Sequence, residues 1–207
     1  SWGYMCGRDP DENKVRVNPL DKPFRLRQKF WREGGGGIKV EDNAPTIGIP
    51  QALTTYTYLP LWRRFFNHLG YKIKLSGTSN DKTRSLAAKI NGAEFCFPAK
   101  ISMGHSASLA TRDGVDFVFL PHLISEAQNP YSTASKFCPY VQSQPSFTKT
   151  AMQLNGIDTS RVLSPVVDMR LSEPRLIDLI CKELTGPLGR NRKEIRAAWS
   201  EAIGAQR

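Results

Sequence analysis

The chain reads as an α/β fold: a Rossmann-like, mainly parallel sheet flanked by helices, preceded by an irregular N-terminal extension. Three observations predict this. Strand-like runs at Thr46–Pro50, Tyr71–Leu75, Val115–Leu120 and Val162–Val167 are separated by stretches long enough to hold a helix. Several of those stretches place apolar residues three and four apart, the period of a helix packed on a core. The first 37 residues show no sustained period and end in four glycines, Gly34 to Gly37. Strands joined through helical crossovers run parallel, with helices on both faces.

Taken in order, Phe24, Arg27, Gln28 and Trp31 share one helical face and predict a short helix inside the extension. Residues 1–37 then form an extension and glycine linker, and 38–207 form the α/β domain with C-terminal helices. Thr46-Ile-Gly-Ile-Pro50 is a buried strand stopped by proline. Leu59, Trp62, Phe65, Phe66 and Leu69 make a helical stripe that Gly70 ends. Tyr71–Leu75 alternates as a strand, and the Thr78–Asp81 run supplies an N-cap for a helix over 82–90. Ala93–Phe97 is expected as a short strand or loop, Ala99–Ala110 as a helix, and Val115–Leu120 as the strongest strand. Phe137–Val141 is expected to be extended and Phe147–Leu154 helical. Val162–Val167 is a strand interrupted by Pro165, and helices over 173–184 and 192–203 close the chain.

The 207 residues carry a net charge of +10 and a pI near 9.6. The densest basic stretches, Arg25 to Arg32 and Arg190 to Arg196, lack the aromatic interleaving of a nucleic-acid stacking surface, so no nucleic-acid partner is expected. A solvated basic face fits the charge, and so does an acidic cofactor such as a coenzyme A thioester. No apolar run is long enough to span a bilayer and no basic-then-apolar leader is present, so a cytoplasmic setting without a membrane is expected. The chain begins with Ser1, and the expectation is a piece of a larger protein whose remainder holds part of the function.

Four cysteines (Cys6, Cys96, Cys138 and Cys181) are too widely spaced for a disulfide framework of the small secreted kind. They are either small core residues or soft ligands gathered by the fold. Structural zinc sites favour paired Cys-x-x-Cys knuckles, and none is present. Cys96 and Cys138 are each closely followed by proline, which either stiffens a loop that aims a thiolate or merely ends a strand. Chemistry in a parallel sheet gathers beyond the carboxyl ends of its strands, where Cys96, His122 and Cys138 are all expected. His105 is read as a donor to a cluster sulfur or acyl group, or as a packed helix residue. His122 is expected nearer the pocket, and His68 to be structural. Lys100, one turn from Cys96, faces an anionic ligand or solvent. The four glycines lack the lysine and spacing of a phosphate loop.

An ordered series of motifs carries a resemblance. It runs through Ile47-Gly-Ile-Pro50, Tyr58-Leu-Pro-Leu-Trp62, Phe66, Leu69-Gly70, Leu75-Ser76 and Cys96-Phe-Pro-Ala-Lys100. It continues with Gly104-His105, Asp116-Phe-Val-Phe-Leu-Pro121, Cys138-Pro139 and Gln142-Ser143. The stretch from Ile47 to Ser143 resembles the domain of acyl-CoA dehydratase activase-related proteins, akin to the D component of 2-hydroxyglutaryl-CoA dehydratase. Tyr4-Met-Cys-Gly-Arg8 is similar to the cysteine-bearing segment preceding that domain in fused members.

The resemblance implies a [4Fe–4S] cluster with Cys96, Cys138 and Cys6 as metal ligands, and Lys100, His105 and His122 beside the cofactor. It implies an anaerobic system in which an ATP-dependent activator delivers one electron for a 2-hydroxyacyl-CoA thioester. A ketyl radical then expels the hydroxyl, making the chain part of a radical acyl-CoA dehydratase-like lyase or related reductase. Signatures of ATP binding are missing from this sequence, and Cys181 lies outside the matched motifs. The alternative is a non-catalytic α/β scaffold or interaction domain of a larger protein.

Overall fold

A computed structural model describes residues 23–33, 35–127 and 135–206. The chain divides into two units, residues 1–35 and 36–207. Within the first, helix α1 spans Pro23–Arg32; proline at a first helical position loses no hydrogen bond, because that N–H has no partner within a helix.

The second unit is α/β. Its elements are β1 (Thr46–Ile49), α2 (Thr55–His68), β2 (Lys72–Leu75), α3 (Asp81–Ile90), α4 (Phe97–Ala110) and β3 (Phe117–Phe119). Then follow β4 (His122–Ser125), α5 (Pro139–Leu154), β5 (Val162–Leu163), β6 (Val166–Asp168), α6 (Glu173–Leu188) and α7 (Arg192–Gln206). The main sheet has the order β2-β1-β3-β5 and every pairing is parallel, with Thr46 opposite Lys72, Ile47 opposite Phe117 and Val118 opposite Val162. A second parallel pair, β4 and β6, places His122 opposite Val166. Pro121 separates β3 from β4, and Pro165 separates β5 from β6 at the matching level. The Leu120 N–H donates to the Leu163 carbonyl before the break, and the His122 N–H donates to the Pro165 carbonyl after it. Two prolines, each lacking an N–H, thus split one ladder in two.

Alternation along β3 feeds a separate core on each face of the sheet. Val118 joins an aliphatic cluster with Met103, Leu109, Val115, Leu120 and Met152, roofed by α4 and α5. Phe119 points the other way, its ring 4.8 Å from both Trp62 and Phe66 on α2. Trp199 of α7 completes this aromatic core, 6.1 Å from Trp62 and 6.4 Å from Phe65. The expected parallel sheet with helices on both faces is therefore present. No described helix is long and apolar enough to cross a membrane.

Of the short strand or loop expected over Ala93–Phe97, the structure has the loop, with α4 beginning at Phe97. Two local expectations are corrected. Phe137–Val141 is not an extended piece, because α5 begins at Pro139 and runs through Phe147 without a break. A proline at the first helical position nucleates that helix, and Pro145 inside it hid the pattern. Likewise α2 starts at Thr55, ahead of Pro60, not at Leu59.

Candidate functional site

The chain passes from β1 to β2 on one side and later to β3 on the other, so the strand order reverses between β1 and β3. A crevice beyond the carboxyl ends of strands is expected at such a point. One is present, lined by Pro50, Leu53, Thr54, Pro121, Ser102 and Gln144 among others. It is tight, with about 20 Å³ open to a water-sized group, room for one water. Leu53 sits there at φ 49°, a left-handed conformation that is unfavourable for a branched side chain. Buried Gln144 donates to the hydroxyls of Ser102 and Thr148 at 3.0 and 3.1 Å. Larger hollows, about 550 and 500 Å³, lie around His68, Gly70 and Arg190, near the residues that precede β1. No cysteine is among the residues lining them, and the candidate site is placed at the strand ends.

Of the helices that wall the crevice, α4 and α5 each start from a cysteine. Cys96 is the N-cap of α4 with proline two residues on, and Cys138 is the N-cap of α5 with proline next. Neither side chain makes a capping bond, and both thiols are free and exposed. A helix N-terminus is a place where negative charge is stabilised. Aromatic contacts clasp the two starts together. Phe95 meets Tyr140 edge-on at 5.7 Å and stacks on Phe147 at 4.5 Å, so residues flanking each cysteine touch. Phe97 and Tyr140 remain 65% and 45% exposed beside them.

His122 begins β4, and its Nδ1 lies 2.8 Å from the Gln142 carbonyl, one turn into α5 from Cys138. Lys100 pairs with Glu94 at 2.7 Å, and this hydrogen bond holds the exposed Glu94 carboxyl below its usual range. His105 lies deeper in α4 and is 1% exposed. Its Nδ1 is 2.8 Å from the Ser76 hydroxyl and its Nε2 is 2.8 Å from the Ser79 hydroxyl. Burial, then the nearby Arg112 charge, pushes its pKa down. Cys181 is half-buried on α6, where burial pushes its thiol up. Cys6 lies outside the described residues. Among the described residues, no group of three or more His, Cys, Asp or Glu is placed to hold a metal ion. The structure thus brings the flanks of Cys96 and Cys138 together, with His122 bound to the same helix, and puts Lys100 and His105 in separate pairings.

Sequence reasoning names Tyr58 and Ser76 only within the ordered motifs and Ser79 only within a capping run, and gives none of the three a role at a site. The Tyr58 hydroxyl donates to Glu126 at 3.3 Å, and its ring meets Phe137, the neighbour of Cys138, at 6.2 Å. Burial first, then the Glu126 carboxylate, pushes its pKa up. Ser76 follows directly on β2 and Ser79 comes three residues later, and their position after a strand end was the available signal.

No curated protein and no solved structure matches the chain. A family model does match, over residues 46–207. It takes in α6, α7 and Cys181, which the motif resemblance ending at Ser143 left out. A parallel sheet carrying those ordered motifs, matched over most of its length, makes this chain a member of the CoA enzyme activase uncharacterised domain family (DUF2229).

Proposed function

We propose that the chain is an iron–sulfur-cluster-carrying module of a 2-hydroxyacyl-CoA dehydratase-like redox protein, served by an ATP-dependent activator. The observation that supports this is the pair of free, exposed thiols at the starts of two helices clasped by Phe95 and Tyr140. Thiolates are the donors such clusters take, and single cysteines from separate loops suffice because the fold sets the geometry. In kind the donor set fits; in number the described residues supply two. Cys6 is proposed as the third ligand, leaving one iron open.

A cluster held there would supply one-electron chemistry toward an acyl thioester. This chain's own residues would do the rest. The N-terminal amides of α4 and α5 would stabilise the negative charge of the site. His122 would keep α5 in place through Gln142, and the exposed Phe97 and Tyr140 rings would meet the electron-delivering partner. Those rings also favour a second reading, a non-catalytic interaction domain.

Anaerobic reconstitution of the full chain with ferrous iron and sulfide tests the proposal. About four irons and four sulfides per chain and a brown colour are expected, with both lost in Cys96→Ser and Cys138→Ser. Full iron occupancy in both variants would sink the ligand assignment. A wild-type chain that takes up no iron would leave the interaction domain as the better reading.

A further inference from the structure

We propose that Ser79 and His105 form a nucleophile–base pair able to take an acyl group from an activated ester or thioester. The inference is independent of the cluster and involves neither Cys96 nor Cys138. Ser79 is exposed on the loop after β2, and its hydroxyl lies 2.8 Å from His105 Nε2. The opposite ring nitrogen lies 2.8 Å from Ser76 Oγ, which itself accepts the Gln51 N–H at 2.8 Å. A nucleophile, a base and a third group orienting the base, each within hydrogen-bond reach, is the arrangement by which a serine is activated. Burial and Arg112 keep the imidazole neutral near pH 7, so a ring nitrogen is available to accept a proton. The Arg112 guanidinium also reaches the carbonyls of Leu75 and Ser76, both at 3.4 Å, and ties the loop to α4.

Donors for a developing oxyanion are close in the chain. Helix α3 starts at Asp81, and the Asn80 side chain accepts from Thr83 alone, its N–H at 3.0 Å and its hydroxyl at 3.1 Å. The Asp81 and Lys82 amides, two and three residues from Ser79, are first-turn groups with no partner inside the helix. They lie at the end where negative charge is stabilised.

With the ring proton on Nδ1 facing Ser76, the step balances. A lone pair of Ser79 Oγ forms the bond to the acyl carbon as the carbonyl electrons move onto oxygen, and the hydroxyl proton passes to Nε2. Collapse breaks the carbon–sulfur or carbon–oxygen bond, and the leaving thiol or alcohol takes that proton. Water then repeats the sequence on the acyl-serine, releasing the acid and restoring Ser79. Ser76 is a positioning residue and touches no substrate.

The test uses the full chain and a fluorophosphonate probe, which phosphonylates an activated serine with loss of fluoride. One adduct per chain is expected by intact mass, placed on Ser79 by fragmenting the peptide Leu75–Lys82, which also contains Ser76. Ser79→Ala should take no adduct while remaining folded, its melting temperature lowered only by the lost hydrogen bond to His105. His105→Gln should slow labelling at least a hundredfold. Ser76→Ala should slow it roughly tenfold, with Ser76→Thr close to wild type. Failure of the folded wild type to label, labelling elsewhere in the chain, or wild-type rates in Ser79→Ala would overturn the proposal and leave the serines as partners of a buried histidine. Ser79→Ala keeps the question open to refutation even if His105→Gln does not fold.

Discussion

At Gly104 a hydrogen stands where a Cβ would press on the Thr83 carbonyl oxygen and come within 2.9 Å of the Ala87 Cβ. Alanine is the better helix former by about 1 kcal/mol, but overpacking against a backbone carbonyl costs about 1–3 kcal/mol or more. The contact therefore decides the sign, and Gly104→Ala should lower stability in urea denaturation, with Gly104→Val worse. One residue on, His105 makes folding depend on pH. Its folded pKa is pushed below the ordinary value, so below pH ~6.5 the unfolded chain binds a proton that the native chain resists. Its contribution is present above that pH and is lost as pH falls through it toward the folded pKa. Urea midpoints at pH 7.5 and 5.5 should differ, and His105→Asn should narrow the gap; an unchanged gap would assign the dependence to other groups.

Among the elements, α3 depends on a cap and α4 and α5 on a clasp. The Asn80 side chain accepts from both the Thr83 N–H and its hydroxyl. Asn80→Ala should cost about 1 kcal/mol in equilibrium unfolding. Phe95 stacks on Phe147 and meets Tyr140. Phe95→Ala should separate the starts of α4 and α5, and on the proposed function it should reduce the iron retained after desalting while leaving both cysteines in place. That cap was legible as a run: Thr78–Asp81 marks a helix start in the sequence, and the structure assigns the cap within it to Asn80. The starts of α4 and α5 were not. Phe95 and Phe97 alternate like strand residues, yet one is packed against α5 and the other is exposed at the first helical turn. Cysteine is an uncommon N-cap, and prolines inside α2 and α5 masked helices that tertiary packing holds regardless.

For the whole molecule, Phe119 links the sheet to the aromatic core of α2 and α7. Phe119→Ala should remove about 3–5 kcal/mol, which at this size lowers the melting temperature by about 10 °C in a calorimetric scan. The strand and helix alternation that builds this core could be read from apolar spacing, because each element's period is local. The site could be read only in part. Prolines marked Cys96 and Cys138, but the contact of their flanks joins Phe95 to Tyr140, 45 positions apart. Ser76 reaches His105 across 29 positions, and no spacing rule reports a meeting of that kind. The order of the strands has one further consequence. The main sheet is bounded by β2, which reads Lys-Ile-Lys-Leu, and by β5, two residues long. A second molecule approaching β2 meets lysine ammonium groups already held by the Asp42 and Asp113 carbonyls, and at β5 it finds too little backbone to extend. Self-association through strand addition is thereby discouraged at both margins, so replacing Lys72 and Lys74 together with valine should shift a concentrated solution toward fibrillar aggregates that light scattering would detect.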